Sequence, residues 1–159
     1  MIMAEESKTM KPSEVRTLVL SGHTLLRQLL DDIDRLANQE LEKPGTGDQT
    51  LRARAGELAS TLSAHLELEE EILQPILRTI DAWGPVRVEH MNADHANQRE
   101  RIFDIRRQSA DPNFAGSNLA RRLRQLVVDL REDMEWEERE MLHPDLLRDD
   151  IVSLKQFGG

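Results

Sequence analysis

The sequence predicts an all-α protein, an antiparallel up-down-up-down four-helix bundle with a short C-terminal helix. Three observations carry this prediction. Apolar residues recur at steps of three and four over long stretches. Prolines and glycines cluster between those stretches rather than inside them. No segment shows a convincing strand pattern, and short connections between long amphipathic helices imply antiparallel neighbours. Aromatic residues make up 3% of the chain, with no tyrosine, so the core must be aliphatic. At 159 residues the chain reads as one domain, large enough to bury such a core.

Residues 1–12 are expected to form a flexible N-terminal segment. The first helix runs from about Ser13, behind Pro12, to about Glu42, where Lys43-Pro44-Gly45-Thr46-Gly47 ends it. The second starts near Asp48, a suitable N-cap, and reaches about Ile80, with Pro75 kinking or terminating its last part. Trp83-Gly84-Pro85 turns the chain into a third helix that extends to about Ser109. Asp111-Pro112-Asn113-Phe114-Ala115-Gly116 breaks it, and a fourth runs from about Ser117 to Leu142, closed by Pro144. The bundle therefore covers residues 13–145. In the tail, residues 146–159, Leu146, Leu147, Ile151 and Leu154 are expected to pack as a short helix.

The formal net charge of -9 argues against nucleic acid as a partner, because phosphate binding needs concentrated positive charge. Arg121-Arg122-Leu123-Arg124 reads as a solvated helix face. The absence of cysteine excludes disulfides, thiolate metal sites and iron–sulfur clusters. No apolar run approaches a membrane span, and the acidic start Met1–Glu6 does not resemble a secretory signal. A soluble cytoplasmic protein without membrane or nucleic-acid partners is the expectation.

The second helix holds the most informative segment, His65-Leu66-Glu67-Leu68-Glu69-Glu70, followed by Pro75. His65 and Glu69 fall on a stripe that otherwise reads Leu51, Ala55, Leu58, Leu62, then Ile72, Ile76 and Thr79. A carboxylate within an apolar stripe is costly to bury unless something neutralises it, and a metal ion is the most economical candidate. Glu67, Glu70 and Glu71 lie off the stripe and are expected to face solvent.

The other histidines are His23, His90, His95 and His143. In an antiparallel hairpin, residues equidistant from the turn share a height. His23 and His65 are equidistant from Pro44, Glu69 and His90 from the Thr79–Ile80 edge, and His90 and Met134 from Pro112. One polar layer would then cross the whole bundle. A lone histidine on an apolar face is ordinarily a hydrogen-bonded core residue, but three at one height joined by carboxylates favour a metal layer. Imidazole and carboxylate without thiolate suit iron or manganese, and a bundle core is a known setting for dimetal carboxylate sites. His95 lies about 140° around the helix from His90 and is expected to be an outer or interhelical residue. Asp94 shares the face of His90 and could be a ligand or its partner. His143, at the end of the fourth helix, is explained by the helix dipole.

At these residues the chain resembles the hemerythrin-like, or HHE cation-binding, family. That family's pattern is a histidine on helix one, His-x3-Glu on helix two, a histidine on helix three, and His-x3-Glu or a close variant on helix four. His23 in Ser21-Gly22-His23-Thr24-Leu25-Leu26-Arg27, His65 with Glu69, and Glu89-His90 match the first three parts. Aligning Pro144 with Pro75 puts Glu138 at the place of Glu69, and Met134 where the family has histidine. The resemblance implies His23, His65, Glu69, His90 and Glu138 as metal ligands, holding two iron ions joined by an oxo or hydroxo bridge. The missing histidine leaves three readings open. Glu135, Glu137, Asp94 or water replaces the nitrogen, with Fe/Mn occupancy as a variant; or a single metal binds at His23, His65 and Glu69; or the site is degenerate. Met134, on a stripe with Leu130 and Met141, reads as packing.

The function implied is a protein that binds or senses O2, NO or another small diatomic ligand, or redox stress, more as a binding or sensor protein than as an enzyme. A protein partner in signalling would fit such a role. The alternatives are a peroxide- or NO-processing enzyme, an iron-repair enzyme, and a metal-free helical regulatory or interaction module.

Overall fold

The structure, a computed structural model, describes residues 9–150. Its elements are α1 (Pro12–Glu42), α2 (Asp48–Leu68), a π-helical turn (Glu69–Leu73), α3 (Gln74–Ile80), α4 (Gly84–Ala110) and α5 (Gly116–Glu140). Together they form a helical bundle, with no strand among the described residues. The boundaries follow the breakers read from the sequence. Pro12 opens α1 where a missing N–H does no harm. Gly45, with φ of 91°, makes the α1–α2 turn in a conformation that favours glycine. The buried Glu40 carboxylate closes that turn by accepting from the N–H groups of Gly45 (2.7 Å) and Gly47 (3.1 Å).

Cross-helix pairs fix the register. His23, Asp31 and Asp34 of α1 meet Glu138, Arg131 and Arg124 of α5, so rising numbers on one helix face falling numbers on the other. Gln98 and Arg101 of α4 likewise meet Asp133 and Asp129 of α5. Arg52 near the start of α2 donates to the carbonyls of Gln108, Ser109, Asp111 and Phe114, satisfying chain that the end of α4 would otherwise leave unpaired.

The distortion expected from Pro75 in the second long helix takes the form of the π-helical turn Glu69–Leu73. Pro75 has no N–H to give the preceding turn and crowds the Glu71 carbonyl, and the helix widens just before it. The Gln74 N–H bonds to Glu69 O, five residues back instead of four. One extra residue in the turn advances the buried face by one position. Beyond Glu69 the buried apolar residues are Leu73, Leu77 and Ile80, while the expected Ile72, Ile76 and Thr79 are only half-buried.

Two apolar clusters fill the bundle. One joins Leu30, Ile33, Leu58, Leu62, Leu123 and Leu130 with their neighbours, and the other joins Val15, Val19, Leu73, Leu77, Met91 and Met141 with theirs. Each fully buried leucine of this kind contributes about 1.5–3 kcal/mol. Between the clusters, every long helix contributes polar residues to one layer: His23, His65, Glu69, His95, Gln98 and Glu137. Close packing sets the hairpin that leads into α4. A Cβ at Gly84 would lie 1.8 Å from the Leu77 carbonyl oxygen, so only glycine lets α4 start this close to α3. The expected C-terminal helix does not form within residues 146–150, which make turns. Ile151 and Leu154 lie outside the described residues, as do residues 1–8 of the N-terminal segment. No described helix is long and apolar enough to cross a membrane.

Candidate metal centre

His23 from α1, His65 from the end of α2, Glu69 from the π turn and Glu137 from α5 each bring one ligand atom within 4.8 Å of the others. His65 Nε2 lies 2.6 Å from Glu69 Oε1, and His23 Nε2 lies 3.2 Å from Glu137 Oε1. Proximity does not satisfy these atoms. His65 Nδ1 and Nε2, Glu69 Oε2, His95 Nε2 and Glu137 Oε1 are buried without a hydrogen-bond partner. Among the described residues only Gln108 Oε1 shares that condition elsewhere. An unsatisfied buried polar group costs about 1–3 kcal/mol, so gathering four of these at one place, all but the His65 Nδ1 that lies against Gly22, needs a compensating group. A cation fits: the convergent atoms are imidazole nitrogens and carboxylate oxygens, a set suited to iron, manganese or zinc.

The electrostatics agree with that fit. Burial pushes the Glu69 carboxyl up to about 7. Burial, together with the neighbouring Glu69 charge, pushes Glu137 up to about 8. Burial also lowers the His65 pKa, which favours the neutral imidazole that serves as a ligand. Without a cation the Glu69 charge opposes ionisation of Glu137, to which Glu69 is hydrogen-bonded; with one, both would be stabilised as anions.

The expected ligands divide into two groups. His23, His65 and Glu69 are brought together. Glu138 stands behind His23 instead: His23 Nδ1 approaches its Oε2 at 2.8 Å, and Arg27 donates to the same oxygen at 2.6 Å. The carboxylate that enters the cluster is Glu137. On α5 the buried residues Leu123, Leu130 and Met134 continue at a step of three to Glu137 and then reach Met141. Glu137 was one of the groups offered in place of the missing nitrogen, and following that stripe, rather than aligning on Pro144, singles it out from Glu135 and Glu138.

His90 is also outside the cluster. It is half-exposed, with its ring centroid 4.2 Å from that of Trp136 and its Nε2 3.3 Å from Asp94. The buried histidine of α4 is His95, whose Nε2 lies 4.0 Å from Glu69 Oε2. The cause is the position of the turn. The linker between α3 and α4 is Asp81-Ala82-Trp83, and Glu69 and His95 are equidistant from Ala82, whereas the expectation for His90 placed the turn inside α3. Glu70, expected in solvent, is half-buried, and its Oε2 lies 3.2 Å from His95 Nδ1. Glu135 is exposed, as is His143, whose Nδ1 accepts from the Asp145 N–H.

Met134 lines the cavity at the cluster together with Leu26, Leu30, Leu62 and Leu130. That cavity has a volume of about 20 Å³, room for one water-sized molecule. On the opposite side of His65, Gly22 sets the fit: a Cβ there would lie 2.5 Å from His65 Nδ1 and 2.9 Å from Cε1. Gly22→Ala is expected to push the imidazole off its position and weaken metal binding about ten- to a hundredfold. A metal titration, with circular dichroism confirming an unchanged helix content, checks this; unchanged affinity would show that His65 is not held against Gly22.

The family model described as Hemerythrin HHE cation binding domain matches residues 16–146. No curated protein and no solved structure matches the chain.

Proposed function

The chain belongs to the Hemerythrin HHE cation-binding domain family, and from that premise we propose a non-haem iron-binding protein that binds or senses O2, NO or redox stress. The observation that carries this reading is the convergence of His23, His65, Glu69 and Glu137, with buried atoms of His65, Glu69 and Glu137 left unpaired. The proposed ligand set is these four residues plus His95, with His90 and Glu138 outside it. Bound there, iron supplies a redox-active Lewis acid.

The chain's own residues do the rest. His23 and His65 present nitrogen to one side of the carboxylate pair, and His95 presents nitrogen to Glu69 from α4. The leucines and Met134 keep bulk water from the cavity, whose volume favours a diatomic ligand over an organic substrate. The opposed running of cross-helix pairs supports the antiparallel up-down-up-down reading, which brings donors from separate helices to one height.

Two of the three proposed nitrogens serve one side and one serves the other, so two metals would bind unequally, the second more weakly. Met134→His adds a nitrogen at the cavity wall and is expected to tighten the second step of a metal titration about tenfold or more. An unchanged titration would mean that this position does not reach the site. The sensing reading is tested by anaerobic iron(II) loading followed by O2 or NO. A near-ultraviolet or visible band that changes reversibly supports it; steady consumption of peroxide or NO points to the enzymatic alternative.

A further inference from the structure

We propose that Arg27 and Arg99 are positioning residues of the metal centre, each clamping a carboxylate that holds one inward-facing histidine in a fixed tautomer. The inference rests on the metal-binding reading above. Its basis is a repeated arrangement. On α1, Arg27 follows His23 by four residues, and on α4, Arg99 follows His95 by four, so each pair shares a helix face. Each arginine reaches the second glutamate of a run of adjacent glutamates on a neighbouring element, Glu69–Glu71 or Glu137-Glu138, whose first glutamate faces the cluster. Arg27 Nη2 donates to Glu138 Oε2 at 2.6 Å, and Glu138 Oε2 lies 2.8 Å from His23 Nδ1. Arg99 Nη2 donates to both oxygens of Glu70, at 2.5 and 2.8 Å, and Glu70 Oε2 lies 3.2 Å from His95 Nδ1.

An ionised carboxylate only accepts hydrogen bonds, so Nδ1 must carry the proton, and Nε2 is left with its lone pair directed at the cluster. The histidines are almost fully buried, while Glu70 and Glu138 are 29% and 28% exposed. A partly exposed glutamate can swing into water, and the guanidinium opposes that by pinning the carboxylate. The arginines are 37% and 44% exposed, where ion pairs add little to folding. Their geometry serves the imidazoles more than the fold.

The two relays act on different histidines, which makes them separable. The test titrates Co(II) into wild type, Arg27→Gln and Arg99→Gln, and records ¹⁵N spectra of the histidines in Zn(II)-loaded protein. Each substitution should weaken Co(II) binding about ten- to a hundredfold and move the Tm by no more than about 3 °C. Arg27→Gln should disturb the single Nδ1–H tautomer of His23 alone, and Arg99→Gln that of His95 alone. Glu138→Gln, which keeps an acceptor for His23 but no charge, should retain more affinity than Glu138→Ala. Wild-type affinity and unchanged tautomers in both arginine variants would overturn the inference while leaving the metal reading intact. A wild-type chain that takes up no Co(II) would overturn both.

Discussion

Glu137→Ala is expected to abolish tight metal binding, whereas Glu138→Ala should weaken it only about ten- to a hundredfold. The two residues are adjacent, yet Glu137 brings its oxygen into the four-donor group and Glu138 faces the outer side of His23. The same contrast applies on α4. His95→Ala removes a buried nitrogen 4.0 Å from Glu69 and should remove the weaker metal equivalent. His90→Ala removes a half-exposed ring lying on Trp136 and should leave the titration unchanged. Metal titration of the four variants, each checked for helix content, decides the matter. A larger loss from Glu138→Ala than from Glu137→Ala, or from His90→Ala than from His95→Ala, would place the ligands on the faces the structure turns away. Glu137→Ala should at the same time stabilise the metal-free protein, because it removes a buried carboxylate without a hydrogen-bond partner for one oxygen. Gain of stability with loss of binding is the usual pattern at a site built for a ligand.

That penalty predicts how metal-free protein responds to pH. Glu69 and Glu137 hold protons more tightly folded than unfolded, with pKa values raised from 4.5 to about 7 and about 8. Between the unfolded and folded values the folded state binds more protons, so stability falls as the pH rises through that window. His65, whose pKa is lowered by burial, works in the opposite direction below its ordinary value of 6.5. The carboxylates therefore dominate between pH 6.5 and about 8, where the loss is on the order of 2 kcal/mol. Urea unfolding in chelator at the two pH values measures it directly. Saturating metal should abolish the loss, since the ion stabilises the ionised carboxylates and binds only the folded site. Metal-free protein that gained stability across the same interval would show that the two carboxylates are not buried against one another.

Most of the fold was readable in the sequence because punctuation and periodicity act locally. Pro12, the Lys43–Gly47 segment, Gly84-Pro85 and the Asp111–Gly116 segment mark helix ends wherever the helices pack. Three of the cluster donors, His23, His65 and Glu69, were readable for the same reason, as polar interruptions of apolar stripes. The misplacements arose where one residue of register mattered. The π turn before Pro75 shifts the buried face from Ile72 and Ile76 to Leu73 and Leu77, a distortion that regular helical periodicity does not contain. His95 was missed because the centre of the α3–α4 turn was placed too early in the chain, which moved its height-matched partner from His95 to His90. Glu137 was read only as one substitute for the absent nitrogen, with Glu138 at the place of Glu69, because aligning the two prolines assumes that both Glu-Glu segments leave the helix with the same geometry. The π turn carries Glu69, whereas Glu137 belongs to regular α5.

If the buried polar layer exists to hold a cation, purified protein should carry metal. Wild type and Glu69→Ala would be loaded anaerobically with iron(II), freed of unbound metal and analysed. Wild type should retain about one to two equivalents, as expected for a bundle-core carboxylate–histidine site, and Glu69→Ala close to none. Near-zero iron in folded wild-type protein, with its stability unchanged by chelator, would contradict that role for the layer.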